Sequence, residues 1–149
     1  MKRPGQSGLF FLNLHCMRKI EHLGIAVTNL EETIALYEQL LNTPCYKIEE
    51  VGSEFVKTAF FHVGESKIEL VAATDPQSPI AKYIEKRGPG IHHVAFDVED
   101  IEAEIERLEQ TGFQLIQRTP KEGADNKLIA FLHPKSTNGM LVELCQERS

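Results

Sequence analysis

The stretch Ile20–Glu32 reads IEHLGIAVTNLEE, and Ile91–Ala103 restates it as IHHVAFDVEDIEA. His22 and His93 occupy the same place in the two phrases, at an offset of 71. The same offset carries Asn29 to Asp100, Leu30 to Ile101, Ile34 to Ile105 and Tyr37 to Leu108. Each phrase begins as a β-branched and apolar strand and then meets an N-cap residue, Asn29 or Asp100. Glu32 completes a capping box in the first copy, and Ala103 breaks it in the second. Leu30, Ile34, Tyr37 and Leu41 mark the buried stripe of one helix. Ile101, Ile105 and Leu108 mark that of the other, which Gly112 stops.

Working outward, each helix is followed by further β pattern. Strands are predicted near 45–51, 55–63 and 66–73 in the first half, and near 113–119, 127–133 and 139–145 in the second. Between the halves, SPIAKYIEKRG from Ser78 predicts a short amphipathic helix closed by Gly88. The fold class is therefore α+β, with two tandem βαβββ units. The halves are 18–75 and 90–147, joined by a helical linker at 78–88 within a single domain spanning 18–147. Neither half buries its sheet face alone, so the two must share a core, and that arrangement creates a cleft between related sheets.

The 149 residues, 42% apolar and 26% charged, fit one globular domain. The net charge of −6 argues against a nucleic-acid partner. Three cysteines without CxxC spacing argue for reduced thiols and a cytoplasmic protein. No stretch approaches the ~20 apolar residues of a membrane span. Residues 1–17, basic and then apolar without a cleavage site, read as an N-terminal extension outside the core, and Met17 as an alternative start.

Strand alternation places His22 with Gly24 and Ala26, and His93 with Ala95 and Asp97, on faces whose small residues leave room beside the imidazole. The closing strands, KIELV and LVELC, each hold a lone acid, Glu69 and Glu143, 74 positions apart. A buried carboxylate needs a cation, a hydrogen-bond network or solvent. A single strand histidine or glutamate is more often a half-exposed surface residue. Recurrence at mirrored places favours convergence instead. Two imidazoles and two carboxylates make a near-neutral site for Zn²⁺, Co²⁺, Ni²⁺ or Mn²⁺. His92 is expected on the opposite face from His93, packing or hydrogen bonding, and Cys145 is expected as a small filler on the face of Glu143.

A duplicated βαβββ unit with His, Glu, His and Glu on matching strands resembles the vicinal oxygen chelate superfamily, over about residues 19–147. Within it, KTAFFHVGESKIELV, SPIAKYIEKRGPGIHHVAFDVEDIEA and AFLHPKSTNGMLVELCQ are similar to the methylmalonyl-CoA epimerases. The resemblance implies that His22, Glu69, His93 and Glu143 hold a divalent metal, Co²⁺ ahead of Zn²⁺, Mn²⁺ or Ni²⁺. It implies that Glu143 doubles as an acid/base group with a second carboxylate opposite it. Several family members carry Glu-(Gln/His)-Gly-Val before the second strand, whereas this chain has VGSEFVKTAF. Glu54 lies close to that position, although the best alignment can put Ser53 there, and Glu54, Glu50 and Glu69 are the candidates for the second base. Lys127 and Lys135 are the candidate contacts for coenzyme A.

The implied function is epimerisation of methylmalonyl-CoA at C2 through an enediolate, by a homodimer. The alternatives are a glyoxalase I-type isomerase and a binding protein of the same fold. The four retained polar residues argue against the last.

Overall fold

A computed structural model describes residues 16–149, so most of the stretch read as an extension lies outside the described residues. Met17, at its end, packs against the second of the two cores described below. The strands are β1 (Lys19–Ala26), β2 (Lys47–Val51), β3 (Val56–Val63), β4 (Ser66–Ala73), β5 (Gly90–Asp97), β6 (Lys121–Glu122), β7 (Lys127–Leu132) and β8 (Val142–Glu147). The helices are α1 (Leu30–Leu41), α2 (Pro79–Arg87) and α3 (Ile101–Gln110). Both predicted caps form, with Asn29 Oδ1 accepting from Glu32 N at 3.0 Å and Asp100 Oδ1 from Ala103 N at 3.1 Å.

All eight strands join one curled sheet in the order β2-β3-β4-β1-β5-β8-β7-β6. At its centre β1 runs antiparallel to β5, while β1 pairs with β4 and β5 with β8 in parallel. The two halves therefore meet about a pseudo-two-fold axis between β1 and β5. On the convex side, Leu30, Ile34, Tyr37 and Leu41 of α1 pack over Val27, Ala59, Phe61, Leu70 and Ala72. Ile101, Ile105 and Leu108 of α3 pack over Val98, Ala130, Leu132, Val142 and Leu144. This burial of helix stripe against sheet is the main source of stability, since neither surface is viable in water. On the concave side Ile80 of α2 packs on Ala26 and Val71, closing one end.

Two strands differ from expectation. The stretch 113–119 makes only a bridge, Leu115 to Leu132, before pairing resumes at β6. Its polar run ends at Pro120, which has no N–H to give a ladder. The last strand begins at Val142 rather than 139, because Asn138 and Gly139 take left-handed backbone (φ 57° and 93°) in the preceding turn.

Simple alternation also fails at two places in the central pair. Between Ile20 and His22 the partner strand advances only from Phe96 to Ala95, and between Gly24 and Ile25 it advances from His93 to Ile91. Glu21 and His92 are thus extra residues in β-bulges, and each immediately precedes a repeated histidine. A bulge lets two consecutive side chains reach one side of a sheet. That is how Glu21 is 4% exposed although alternation assigns it outward.

Candidate functional site

The four mirrored residues meet on the concave face. Glu69 on β4, Gly24 on β1 and His93 on β5 lie in one row across the sheet, and Glu143 on β8, Ala95 on β5 and His22 on β1 lie in the next. Each glutamate therefore shares a row with the other half's histidine, across a small residue. His22, Glu69, His93 and Glu143 are all buried (3–7% exposed) and line one cavity of about 120 Å³ with Val51, Glu54 and Lys127.

His22 Nε2, His93 Nε2 and Glu143 Oε1 converge, at 3.1 Å between the imidazole nitrogens, 3.2 Å from His93 to Glu143 and 3.5 Å from His22 to Glu143. Donors bound at ~2.0–2.2 Å around a tetrahedral or octahedral ion lie roughly 3.0–3.5 Å apart, so this trio has the spacing of a divalent-metal site. Glu69 lines the cavity but does not join the trio, since its Oε2 is 3.1 Å from the other ring nitrogen of His22, Nδ1. The structure thus brings three of the four expected ligands together and leaves the fourth beside them.

Small residues make this possible. A Cβ built on Gly24 would run into the ring of His93, so the imidazole occupies space that only glycine leaves free. Cys145 is more than a filler, because its thiol donates to Glu143 Oε2 at 2.9 Å. The bulged residues stand behind the histidines. His22 Nδ1–H donates to Glu21 Oε1 at 2.6 Å, and the Nδ1 atoms of His92 and His93 share a proton at 2.9 Å. The expectation that His92 turns away from His93 is corrected by the bulge, which brings the two rings together edge to face.

Burial and pairing set the protonation states. Burial disfavours the charged form of His22, but hydrogen bonds to Glu143 and Glu21 outweigh it and hold its pKa at about 10. The same contacts with His22 and His93 overcome burial at Glu143 and keep it well below the usual carboxylate range. Glu21 is pushed up by burial yet drawn down to about 2 by His22 and Lys67. Burial raises Glu69 to about 7, against the pull of the His22 charge. His92 falls to about 4, through burial and then the neighbouring His93, and is neutral at physiological pH.

Among the second-base candidates, Glu54 lines the cavity at the turn between β2 and β3 and pairs with Lys121 Nζ at 2.8 Å. Glu50 is exposed and lies outside that lining. Phe55 has left-handed backbone (φ 54°), the conformation a glycine takes freely. This matches Phe55 to the glycine of the Glu-(Gln/His)-Gly-Val pattern, Glu54 to its second position and Ser53 to its acid. Ser53 is exposed and does not line the cavity, whereas Glu54 does. Lys127 lies within the cavity, 3.8 Å from Glu21, but Lys135 is exposed on the turn after β7 and outside that lining.

Sequence reasoning missed Glu21, Lys67 and Asp125. Lys67 Nζ lies 2.9 Å from Glu21 Oε2 and 2.6 Å from Asp125 Oδ2. Lys67 was within reach, since it stands two residues before Glu69 and so shares its face. Glu21 was not, because a bulge leaves no mark on the residue pattern. No helix among the described residues is long and apolar enough to cross a membrane.

Comparison with known proteins places this geometry in a family. Residues 21–131 match the model of the Glyoxalase/Bleomycin resistance protein/Dioxygenase superfamily. The chain is 38% identical over 132 residues to the uncharacterized protein YqjC of Bacillus subtilis (strain 168), covering 89% of this chain and 94% of that one. It is also 38% identical over 130 residues to the ethylmalonyl-CoA/methylmalonyl-CoA epimerase of Cereibacter sphaeroides, covering 86% and 97%. The crystal structure of methylmalonyl-CoA epimerase from Mycobacterium tuberculosis superposes with a TM-score of 0.86 at 34% identity, covering 89% and 90%. The chain belongs to the Glyoxalase/Bleomycin resistance protein/Dioxygenase superfamily and, within it, to the family of the methylmalonyl-CoA epimerases.

Proposed function

We propose that this enzyme interconverts the (2R) and (2S) epimers of methylmalonyl-CoA, removing the C2 proton from one face and returning it to the other. The observation that carries the reading is the convergence of His22, His93 and Glu143 in a buried cavity of an epimerase-family chain. In this reading His22, His93 and Glu143 hold a divalent cation, with Glu69 as the fourth donor, and Co²⁺ is the first choice ahead of Zn²⁺, Mn²⁺ and Ni²⁺. The cation would supply charge stabilisation to the acyl oxygens as C2 gives up its proton.

Glu143 exchanges the proton on one face of C2. Glu54 comes from the far flank of the sheet, between β2 and β3, and exchanges it on the other. Glu69, held near 7 by burial in the metal-free protein, is the remaining carboxylate candidate for that second role. A cavity of about 120 Å³ suits an acyl head-group and leaves the coenzyme A tail outside. Lys127 presents a cation to the anionic head-group, and Lys135 is retained as a surface contact for the tail. We further read the enzyme as a cytoplasmic homodimer. The apolar Leu36 and Leu40, 59% and 68% exposed on α1, support a partner surface, and the cysteines, all free, support a reducing compartment.

The test is incubation with either epimer in D₂O, with Co²⁺ or with EDTA. Deuterium should enter C2 only with the ion present, and a lack of metal-dependent exchange would overturn the reading. Isomerisation of the glutathione hemithioacetal of methylglyoxal instead would reassign the enzyme as a glyoxalase I. Glu143→Gln should cost about 10³-fold in turnover.

A further inference from the structure

The bulge at Glu21 has a consequence for the candidate metal site. It turns a carboxylate into the interior, where an unpaired charge is costly. One oxygen, Oε1, accepts from His22 Nδ1–H at 2.6 Å. The other, Oε2, takes Lys67 Nζ at 2.9 Å, and Lys67 is itself held by Asp125 Oδ2 at 2.6 Å. Lys47 Nζ closes the far end on Asp125 Oδ1 at 2.9 Å. A chain of alternating charge thus runs from a surface-reaching lysine inward to the back of one imidazole.

The fold itself does not require this chain. The pseudo-symmetric bulge behind His93 holds His92, a neutral ring that among the described residues bonds the His93 imidazole rather than a carboxylate. The bulge forms with either residue, so the charge at Glu21 answers to His22 rather than to the backbone. With Nδ1–H directed to Glu21 at 2.6 Å, closer than Glu69 Oε2 at 3.1 Å, the free position of the ring is Nε2, the atom that faces His93 Nε2 and Glu143 Oε1.

We propose that Glu21, held by Lys67 and Asp125, is the positioning residue for His22, fixing its ring and proton so that Nε2 is presented as a metal ligand. A carboxylate behind a metal-bound imidazole raises its basicity and fixes its tautomer. The assignment rests on the metal reading above.

The test compares Co²⁺ affinity, by competition with a chromophoric chelator, in the wild-type chain, Glu21→Gln and the double variant Glu21→Leu/Lys67→Met. The double variant removes the buried anion together with its cation, leaves Asp125 paired with Lys47, and keeps a similar volume. Affinity should fall about 10-fold in Glu21→Gln, which keeps an acceptor oxygen, and about 100-fold in the double variant. In the Zn²⁺-loaded protein, the slowly exchanging Nδ1 proton of His22 should be visible by NMR in the wild type and lost in the double variant. Melting temperatures close to wild type should accompany these losses. A double variant that binds Co²⁺ like the wild type would overturn the assignment alone, as would a lowered melting temperature with unchanged affinity. If the wild-type chain takes up no Co²⁺, the metal reading falls and this assignment with it.

Discussion

The two halves of this chain make the same device and finish it differently. Each sets a glutamate and a small residue in one row with the other half's histidine, and each bulges at the residue before its own histidine. In the first half the small residue is Gly24 and the bulged one Glu21. In the second they are Ala95 and His92. So His22 is backed by an anion and His93 by a neutral ring. Only the ring of His93 occupies the space a side chain would take on its row-mate. Duplication supplies matching donors, and the departures from symmetry make the two histidines chemically unequal.

The largest effect is expected from making the rows alike. Gly24→Ala should displace the His93 ring and weaken Co²⁺ binding and turnover by roughly 10- to 100-fold, the scale of overpacking in a tight interior. The mirror change, Ala95→Gly, should leave both within a few-fold, as chelator competition and initial rates will show. Equal losses in the two variants would mean that the rows are equivalent after all.

A middle-sized effect concerns pH in the metal-free protein. The folded pKa of Glu69, about 7, is above its ordinary value of 4.5, so its contribution to stability is complete below ~4.5 and is lost as pH rises through 7. His22, raised from 6.5 to about 10, loses its contribution later, as pH climbs toward 10. Glu21 behaves oppositely, losing its contribution as pH falls from 4.5 toward 2. The EDTA-treated protein should therefore melt highest near pH 5 and on the order of 10 °C lower at pH 8. Glu69→Gln should flatten the part of that interval below about 6.5 and keep the His22 decline above it, which calorimetry at stepped pH will resolve.

The smallest effect is expected at His92. Its ring meets His93 on one side and the ring of Tyr83 on the other, and it is uncharged at physiological pH. His92→Phe should reduce Co²⁺ affinity by a few-fold at most, well short of the loss from Glu21→Leu/Lys67→Met. A loss as large as that would erase the distinction drawn between the halves.

Much of this molecule is legible in its residues. The offset of 71 between His22 and His93 determines a duplicated unit, because a helix stripe and a strand alternation must recur in one register for two halves to share a core. The same periodicity places Glu69 and Glu143 on the concave face, and the strand between Ser66 and Ala73 is found where it was predicted. Pairing register is what the residues did not contain. It is set by contacts between strands distant in sequence, so whether Glu69 meets Nε2 or Nδ1 of His22 was decided only when β4 was laid beside β1. The bulges at Glu21 and His92 belong to the same class, since an extra residue exists only relative to a partner strand. Sequence alone determined the fold and pointed to the four polar residues that the concave face gathers. The tertiary structure decided which nitrogen faces the cavity and which acid stands behind it, because hydrogen-bond geometry across paired strands has no local signature.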